Sequence, residues 1–173
     1  MISNLSFKLM ALQFKLRDLL VPRSKILGEV GIRPGFTVLD YGCGPGGYVL
    51  PALELISESG KLYAIDMHPL AVAAVRRLAT RKGLANVEAI HSDGRTGLPD
   101  GSVDVALLYD IFHELRDRHG VLSELHRVLK SDGVLSFSDH HMAGHEIASA
   151  LTAHNLFRLT NRGQRTYGFM KVV

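Results

Sequence analysis

Short apolar runs rich in β-branched residues alternate along the chain with longer segments of helical periodicity. The short runs predict β-strands at residues 37–40, 62–66, 87–91, 103–108 and 134–138. The longer segments predict helices near residues 48–57, 70–82 and 118–129. A repeated strand, helix and strand predicts an α/β fold, in which a parallel sheet carries helices on both faces.

The two ends of the chain depart from this alternation. After a short helix near residues 146–154, two strand-like runs, LFRLT and TYGFMKVV, flank a loop that contains Gly163, which predicts an antiparallel hairpin. The N-terminal segment predicts two helices, near residues 7–20 and 23–30, separated by Pro22. The apolar face of the first helix is expected to pack on the body of the protein or on a twin subunit, which leaves a homodimer through these helices open.

Composition narrows the function classes. The chain has 173 residues, of which 46% are hydrophobic and 21% charged, as expected for a single globular domain. No apolar run approaches the roughly 20 residues that span a bilayer, and the N-terminus lacks the apolar core of a signal peptide. We therefore predict a cytoplasmic protein with no membrane partner. A single cysteine, Cys43, excludes an intrachain disulfide and a multi-cysteine zinc site.

A glycine-rich loop follows the first predicted strand, in the stretch VLDYGCGPGGY. Gly42, Gly44 and Gly47 fit the pattern G-x-G-x-x-G, which is typical of dinucleotide sites. However, Asp40 would place a carboxylate beside the pyrophosphate of a dinucleotide, and Pro45 removes one backbone amide from the loop. Both features disfavour a nicotinamide oxidoreductase and favour a cofactor whose near end is cationic.

The stretch VLDYGCGPGG resembles the D/E-x-G-x-G-x-G loop of the class I S-adenosylmethionine-dependent methyltransferases, in particular the small-molecule type that includes the quinone-biosynthesis enzymes. YAIDMHP resembles the family's second-strand acidic motif, and ELHRVLKSDGVLSFSD its fifth-strand region. The resemblance runs from about Arg33 to the C-terminus. It implies a doubly wound, mostly parallel seven-stranded sheet of order 3-2-1-4-5-7-6 with a C-terminal antiparallel hairpin. Together with the chain length and the N-terminal helical pattern, it predicts one domain over residues 1–173, in which a helical cap (1–33) precedes a Rossmann-like core (34–173).

The resemblance further implies residues that bind S-adenosylmethionine and its product S-adenosylhomocysteine. Gly42, Gly44 and Gly46 would let the backbone approach the methionine part of the cofactor, where a Cβ would intrude. Asp40 would meet the ammonium group, directly or through water.

Asp66, at the end of the second strand, would accept hydrogen bonds from both ribose hydroxyls. Asp93, in a turn with Gly94, would bind the adenine amino group, while Met67 would pack on the adenine face. Taken alone, Asp66 could instead cap the next helix, and the turn at Asp93 could be a simple connection. Two tyrosines at strand ends are expected to face the same crevice, Tyr41 and Tyr109.

The methyl acceptor is less clearly marked. Asp110 and His113, in LLYDIFHEL, are candidates for a general base, because they follow the fourth strand at a spacing that places them on one helical face. Asp110 could then orient His113, or cap the turn while His113 packs beside Phe112. No N/D-P-P-Y/F motif follows this strand, which counts against methylation of DNA bases and makes a nucleic-acid partner unlikely. A small-molecule acceptor is predicted, methylated on oxygen, nitrogen or carbon.

Acidic residues and histidines also cluster after the fourth and fifth strands, at Asp110, Asp139, His140, His141 and His145. Catechol-type relatives bind magnesium at similar strand ends, but histidine better suits a transition metal. The simpler interpretation is a set of solvent-exposed loop histidines, so no bound metal is predicted. Two alternatives remain open, a metal-assisted catechol-type O-methyltransferase and a non-catalytic cofactor-binding partner subunit.

Overall fold

The computed structural model describes residues 22–172, so the helix predicted near residues 7–20 lies outside the described residues. Within that range one sheet has the order β3-β2-β1-β4-β5-β7-β6. β1 to β5 pair in parallel, whereas β7 pairs antiparallel with both β5 and β6. This arrangement confirms the predicted sheet and its terminal hairpin. The strands are β1 Thr37–Tyr41, β2 Lys61–Asp66, β3 Val87–His91, β4 Val103–Tyr109, β5 Leu129–Ser138, β6 Phe157–Arg162 and β7 Tyr167–Lys171.

The helices occupy the connections that the sequence pattern predicts. They are α1 Arg23–Leu27, α2 Val49–Ile56, α3 Pro69–Lys82, α4 Arg118–Val128 and α5 Gly144–Thr152, with a 3-10 turn at Phe112–Glu114. The start of α3 shows why the local sequence is helical, because the His68 side chain accepts from the Leu70 amide while proline occupies the first turn. Every helix among the described residues is too short or too polar to cross a lipid bilayer.

Two apolar layers cover the sheet, one on each face. Neighbouring residues of β1 belong to different layers. Val38 packs in the layer that contains Val49 and Leu107, whereas Leu39 packs in the opposite layer with Leu125. This separation follows from the alternating direction of side chains along a strand. Because both faces are covered, the ends of the strands are where a ligand can reach the sheet.

The fold opens a crevice beside β1. This central strand pairs with β2 on one side and with β4 on the other, and the chain returns to β4 only after it has formed β3 at the far edge. Open α/β sheets bind ligands at such a switch point, outside the carboxyl ends of the strands. The loops that follow β1, β2 and β4 therefore meet at one place.

The fifth strand begins earlier than its sequence pattern predicts. β5 starts at Leu129, which pairs with Val103, whereas the sequence pattern predicted a strand only from residue 134. An irregularity in register between Val103 and Val105 accommodates the extra residues. Asp104 lies at this irregularity and accepts a 2.6 Å hydrogen bond from the Lys130 ammonium group. The ion pair holds the early part of the strand in place.

A single carboxylate joins the segment after α1 to the loop of the terminal hairpin. Oε2 of Glu29 accepts hydrogen bonds from the Arg165 amide (3.1 Å), the Thr166 amide (3.0 Å) and the Thr166 hydroxyl (2.9 Å). Burial alone raises the pKa of Glu29, but these hydrogen bonds outweigh it and hold the pKa below its ordinary value. α1 is thereby fixed to the last hairpin of the sheet.

We expect Glu29→Ala to lower the free energy of unfolding at pH 7 by about 1 kcal/mol, the usual contribution of such hydrogen bonds. Because the pKa of Glu29 is lowered by folding, its contribution is present above the ordinary carboxyl pKa and is lost as the pH falls through the folded value. The difference between variant and wild type should therefore shrink below about pH 4. Urea unfolding at several pH values measures this difference. Glu58→Ala, at an exposed position, is the control.

Candidate functional site

A cavity of about 500 Å³ lies at the carboxyl ends of β1, β2 and β4. Its volume falls within the range of about 300–1,000 Å³ that is usual for small-molecule sites. With the exception of Gly46, the cofactor-binding residues predicted from the sequence line this cavity: Asp40, Tyr41, Gly42, Gly44, Asp66, Met67, Asp93, Gly94 and Tyr109.

The glycines of the loop after β1 serve different purposes. Gly44 has a φ of 51°, and a Cβ built on it meets no atom within 4 Å, so its backbone borders open space in the cavity. Gly46 has a φ of 86°, but its Cβ would lie 3.1 Å from the Cγ2 atom of Val75 in α3. Gly44 is therefore the position at which a ligand can approach the main chain, while Gly46 lets the loop pack on the helices.

Asp40 is a buried carboxyl group at the end of the central strand, with 3% of its surface exposed. Among the described residues, no group forms a hydrogen bond with its Oδ2 atom. Burial raises the pKa of Asp40 to about 7, the Arg23 guanidinium opposes this change, and the Asp66 carboxylate reinforces it. An unpaired buried acceptor is costly, so this carboxyl group, which lines the cavity, favours a cationic ligand nearby.

Asp66 links two loops around the cavity. Its Oδ2 accepts from the Gly44 amide at 2.8 Å, and its Oδ1 accepts from the His68 amide at 2.7 Å. Each carboxylate oxygen can accept a second hydrogen bond, so both oxygens can still receive donors from a ligand. The carboxylate is thus held in a fixed orientation at the cavity wall.

The region after β3 forms the opposite side of the cavity. Tyr41 reaches across from β1 and donates its hydroxyl to the Gly94 carbonyl at 3.0 Å, beside the exposed Asp93. Burial, together with nearby carboxylates, raises the pKa of Tyr41 to about 12, so the hydroxyl remains a donor. Met67 is 47% exposed, which is unusual for a large apolar side chain and leaves its surface available to a ligand.

Tyr109 and Cys43 also line the cavity, but neither side chain is a reactive group. The Tyr109 hydroxyl shares a 2.6 Å hydrogen bond with Ser136, and its ring lies 4.9 Å from that of Tyr48. Burial raises the pKa of Tyr109 well above its ordinary value. Burial likewise raises the pKa of the Cys43 thiol, so the thiol stays protonated and is a poor nucleophile.

A histidine and an aspartate pair beside the cavity at the ends of β4 and β5. His113 Nδ1 lies 2.9 Å from Asp139 Oδ2 and 3.0 Å from Asp139 Oδ1, and the His113 amide donates to the same carboxylate. Burial alone raises the pKa of Asp139, but these hydrogen bonds and one from the His141 amide hold it below its ordinary value. An ionised carboxylate can only accept, so Nδ1 is the protonated ring nitrogen and Nε2 is left as a proton acceptor.

The predicted contact between Asp110 and His113 is wrong. Asp139, rather than Asp110, forms the hydrogen bond with the His113 ring. The chain forms a 3-10 turn after β4 instead of an α-helix, and Asp110 has a φ of 53°. Asp110 Oδ1 accepts from Nδ1 of His140 at 2.8 Å. Asp110 lines the cavity, whereas His113 lies just outside it, its Nε2 3.7 Å from a carboxylate oxygen of the lining residue Glu114.

Three groups of this region could together hold a metal ion. Asp110, Asp139 and His140 offer ligand atoms that lie within 4.8 Å of one another. His140, His141 and His145 are exposed, as the simpler interpretation of these histidines expects.

Arg23 is a charged cavity residue that the sequence-based predictions did not identify. Arg23, in α1, is 8% exposed and lines the same cavity as Asp40. Its sequence neighbourhood carries no motif, and the segment was assigned only to a helical cap. Only the tertiary fold brings this arginine to the glycine loop.

Comparisons with known proteins agree with the fold. A family model described as "Methyltransferase domain" matches residues 32–167. Over its whole length the chain superimposes on the whole of a SAM-dependent methyltransferase from Aquifex aeolicus, with a TM-score of 0.85 and 27% sequence identity.

Two curated relatives are similar over part of their length. The aklanonic acid methyltransferase DauC of Streptomyces sp. (strain C5) is 33% identical over 106 residues, which are 60% of this chain and 48% of the relative. The demethylmenaquinone methyltransferase of Geobacillus stearothermophilus is 26% identical over 113 residues, 65% of this chain and 48% of the relative. The chain thus matches about half the length of each relative. By its fold and by its matching family model, this chain belongs to the class I S-adenosylmethionine-dependent methyltransferases.

Proposed function

We propose that the chain transfers a methyl group from S-adenosylmethionine to a small-molecule acceptor. The observation that carries the proposal is the buried carboxyl group of Asp40, which lines the cavity beside the backbone of Gly44. Its Oδ2 atom has no hydrogen-bond partner among the described residues. A phosphate-bearing cofactor would be repelled by this carboxylate. A cofactor with an ammonium group at that end is attracted to it.

The remaining groups of the cavity fit the rest of the cofactor. Asp66, held by two backbone amides, would accept the ribose hydroxyls, and Asp93 would accept the adenine amino group. The exposed Met67 side chain would cover one face of the adenine. When bound, S-adenosylmethionine supplies an electrophilic methyl group on a sulfonium. The task of the protein is to place an acceptor atom in line with that methyl and to exclude water.

A small-molecule acceptor is supported by the curated relatives. Their names describe methyltransferases of aklanonic acid and demethylmenaquinone. In this chain, Ile111 and Leu115 add apolar surface to the cavity near the end of β4. We propose the acceptor only as a chemical class, namely a small molecule with an oxygen, nitrogen or carbon nucleophile.

We assign the general base to His113, with Asp139 as the residue that positions it. The hydrogen bond from Nδ1–H fixes the ring and its tautomer, so Nε2 can take a proton from an acceptor that enters past Glu114. Asp110 remains the alternative base, since it lines the cavity directly.

A metal-assisted mechanism of the catechol type is the second candidate. The converging atoms of Asp110, Asp139 and His140 favour it. The hydrogen bonds already made to Asp139 weigh against it. Its two oxygens accept from the His113 ring, the His113 amide and the His141 amide, which occupies most of a carboxylate's acceptor capacity. A metal would have to displace some of these bonds.

We expect Gly44→Val to abolish cofactor binding, because the side chain would enter the cavity and strain a left-handed backbone. Isothermal calorimetry with S-adenosylmethionine and S-adenosylhomocysteine measures the loss. Gly101→Val is a matched control, since Gly101 has a φ of 58° and equally open surroundings but lies away from the cavity. Normal binding by Gly44→Val would mean that the loop is only a connection.

We expect Asp40→Asn to stabilise the ligand-free protein while weakening cofactor binding at least tenfold. Because folding raises the pKa of Asp40 to about 7, the folded state holds a proton that the unfolded state releases. Stability from this group is therefore present at low pH and lost as the pH rises from about 4 towards 7. The gain in melting temperature for Asp40→Asn should be larger at pH 8 than at pH 5. An equal gain at both pH values would contradict the assigned titration.

With an acceptor in hand, we expect His113→Ala and Asp139→Asn each to lower the methylation rate by roughly 10²-fold, with little change in cofactor affinity. Asp110→Asn and treatment with a chelator separate the two mechanisms. Loss of activity with chelator, restored by added Mn²⁺ or Mg²⁺, would favour the metal-assisted candidate. Normal rates in all three variants would mean that proximity alone drives the transfer, or that His140, His141 or the substrate supplies the base. Absence of turnover by the wild-type chain would favour a cofactor-binding partner subunit.

A further inference from the structure

The glycine loop contains a fourth glycine, Gly47, that none of the roles above explains. Its backbone is not in the left-handed region, so its conformation does not require glycine. A Cβ at this position would lie 2.6 Å from the Cζ and Nε atoms of Arg23. The guanidinium group therefore packs directly against the loop, and a side chain at residue 47 would force it to move.

The position of this guanidinium is fixed by its surroundings. Its Cζ lies 4.3 Å from the centre of the Tyr48 ring, at the start of α2, and the Arg23 side chain is nearly buried. Stacking on an aromatic ring orients the flat guanidinium group. The Glu29 carboxylate, which ties the segment after α1 to the hairpin loop, keeps the helix that carries Arg23 in place. The cavity is thus provided with an oriented cation.

Arg23 and Asp40 form a pair of opposite charges on one wall of the cavity. Both residues line the same cavity, and the positive charge of Arg23 lowers the pKa of Asp40. Oδ2 of Asp40 has no hydrogen-bond partner among the described residues. An α-amino acid presents an ammonium and a carboxylate a few bonds apart. The two protein charges match the two ligand charges.

We propose that Arg23 binds the carboxylate of the cofactor's methionine end, with Tyr48 and Gly47 as the surfaces that position it. The guanidinium would donate to the carboxylate as a planar fork, while Asp40 receives the ammonium. This proposal rests on the assignment of the cavity to S-adenosylmethionine. It adds a residue of α1 to a site otherwise built from the loops after the strands.

The test compares two ligands that differ only in this carboxylate, S-adenosylmethionine and its decarboxylated analogue, by calorimetry at pH 8. The wild-type chain should prefer S-adenosylmethionine by about tenfold or more, as a charge-assisted hydrogen bond would provide. Arg23→Met should bring the affinity ratio of the two ligands to within about twofold of one. The ratio is used because a general disturbance of the site weakens both ligands together.

Gly47→Ala provides an independent test, since its methyl group displaces the guanidinium without removing the charge. It should reduce the same ratio, whereas Gly28→Ala, at an exposed position in the same region as α1, should leave it unchanged. A ratio that stays at its wild-type value in Arg23→Met would overturn the proposal. So would a wild-type chain that binds both ligands equally. Failure of the wild type to bind S-adenosylmethionine at all would instead reject the proposed function.

Discussion

The buried carboxyl group of Asp40 is the constraint around which the rest of the site is arranged. A strand at the centre of a parallel sheet normally ends in apolar residues, and a carboxylate there destabilises the fold unless a cation compensates it. In this protein the destabilising carboxyl group lies where the crevice opens beside β1. The charges of the Arg23 guanidinium and the Asp66 carboxylate act on the carboxyl group at that point. The buried carboxyl group destabilises the ligand-free protein, and binding of a cationic ligand would offset this destabilisation.

The sequence predicted the parts of this molecule that depend on local patterns. The strands carry β-branched runs whose positions agree with the sheet, because burial on both faces leaves few alternatives for such residues. The acidic residues at the ends of β1 and β2 were identified for a similar reason. Asp40 and Asp66 directly follow apolar runs, so their position near the carboxyl ends of β1 and β2 follows from the length of each run.

Features that depend on the register between distant segments could not be read from the sequence. Tyr109 pairs with Ser138, and this register brings the residues that follow β4 and β5 side by side. Only then does Asp139, rather than the nearer Asp110, become the partner of His113. The role of Gly47 could not be predicted from the sequence either, because the guanidinium that packs against it belongs to Arg23, in a helix that precedes the sheet.

The Glu29 carboxylate also bears on the order in which the molecule can form. It bonds to Thr166, 137 residues further along the chain. Contacts at such separation are costly in loop entropy and tend to form late in folding. On the ribosome, the central strands and the glycine loop emerge well before the hairpin that Glu29 requires. A growing chain would therefore hold most of its sheet before α1 is fixed, so the site would be completed only when the last strands are added.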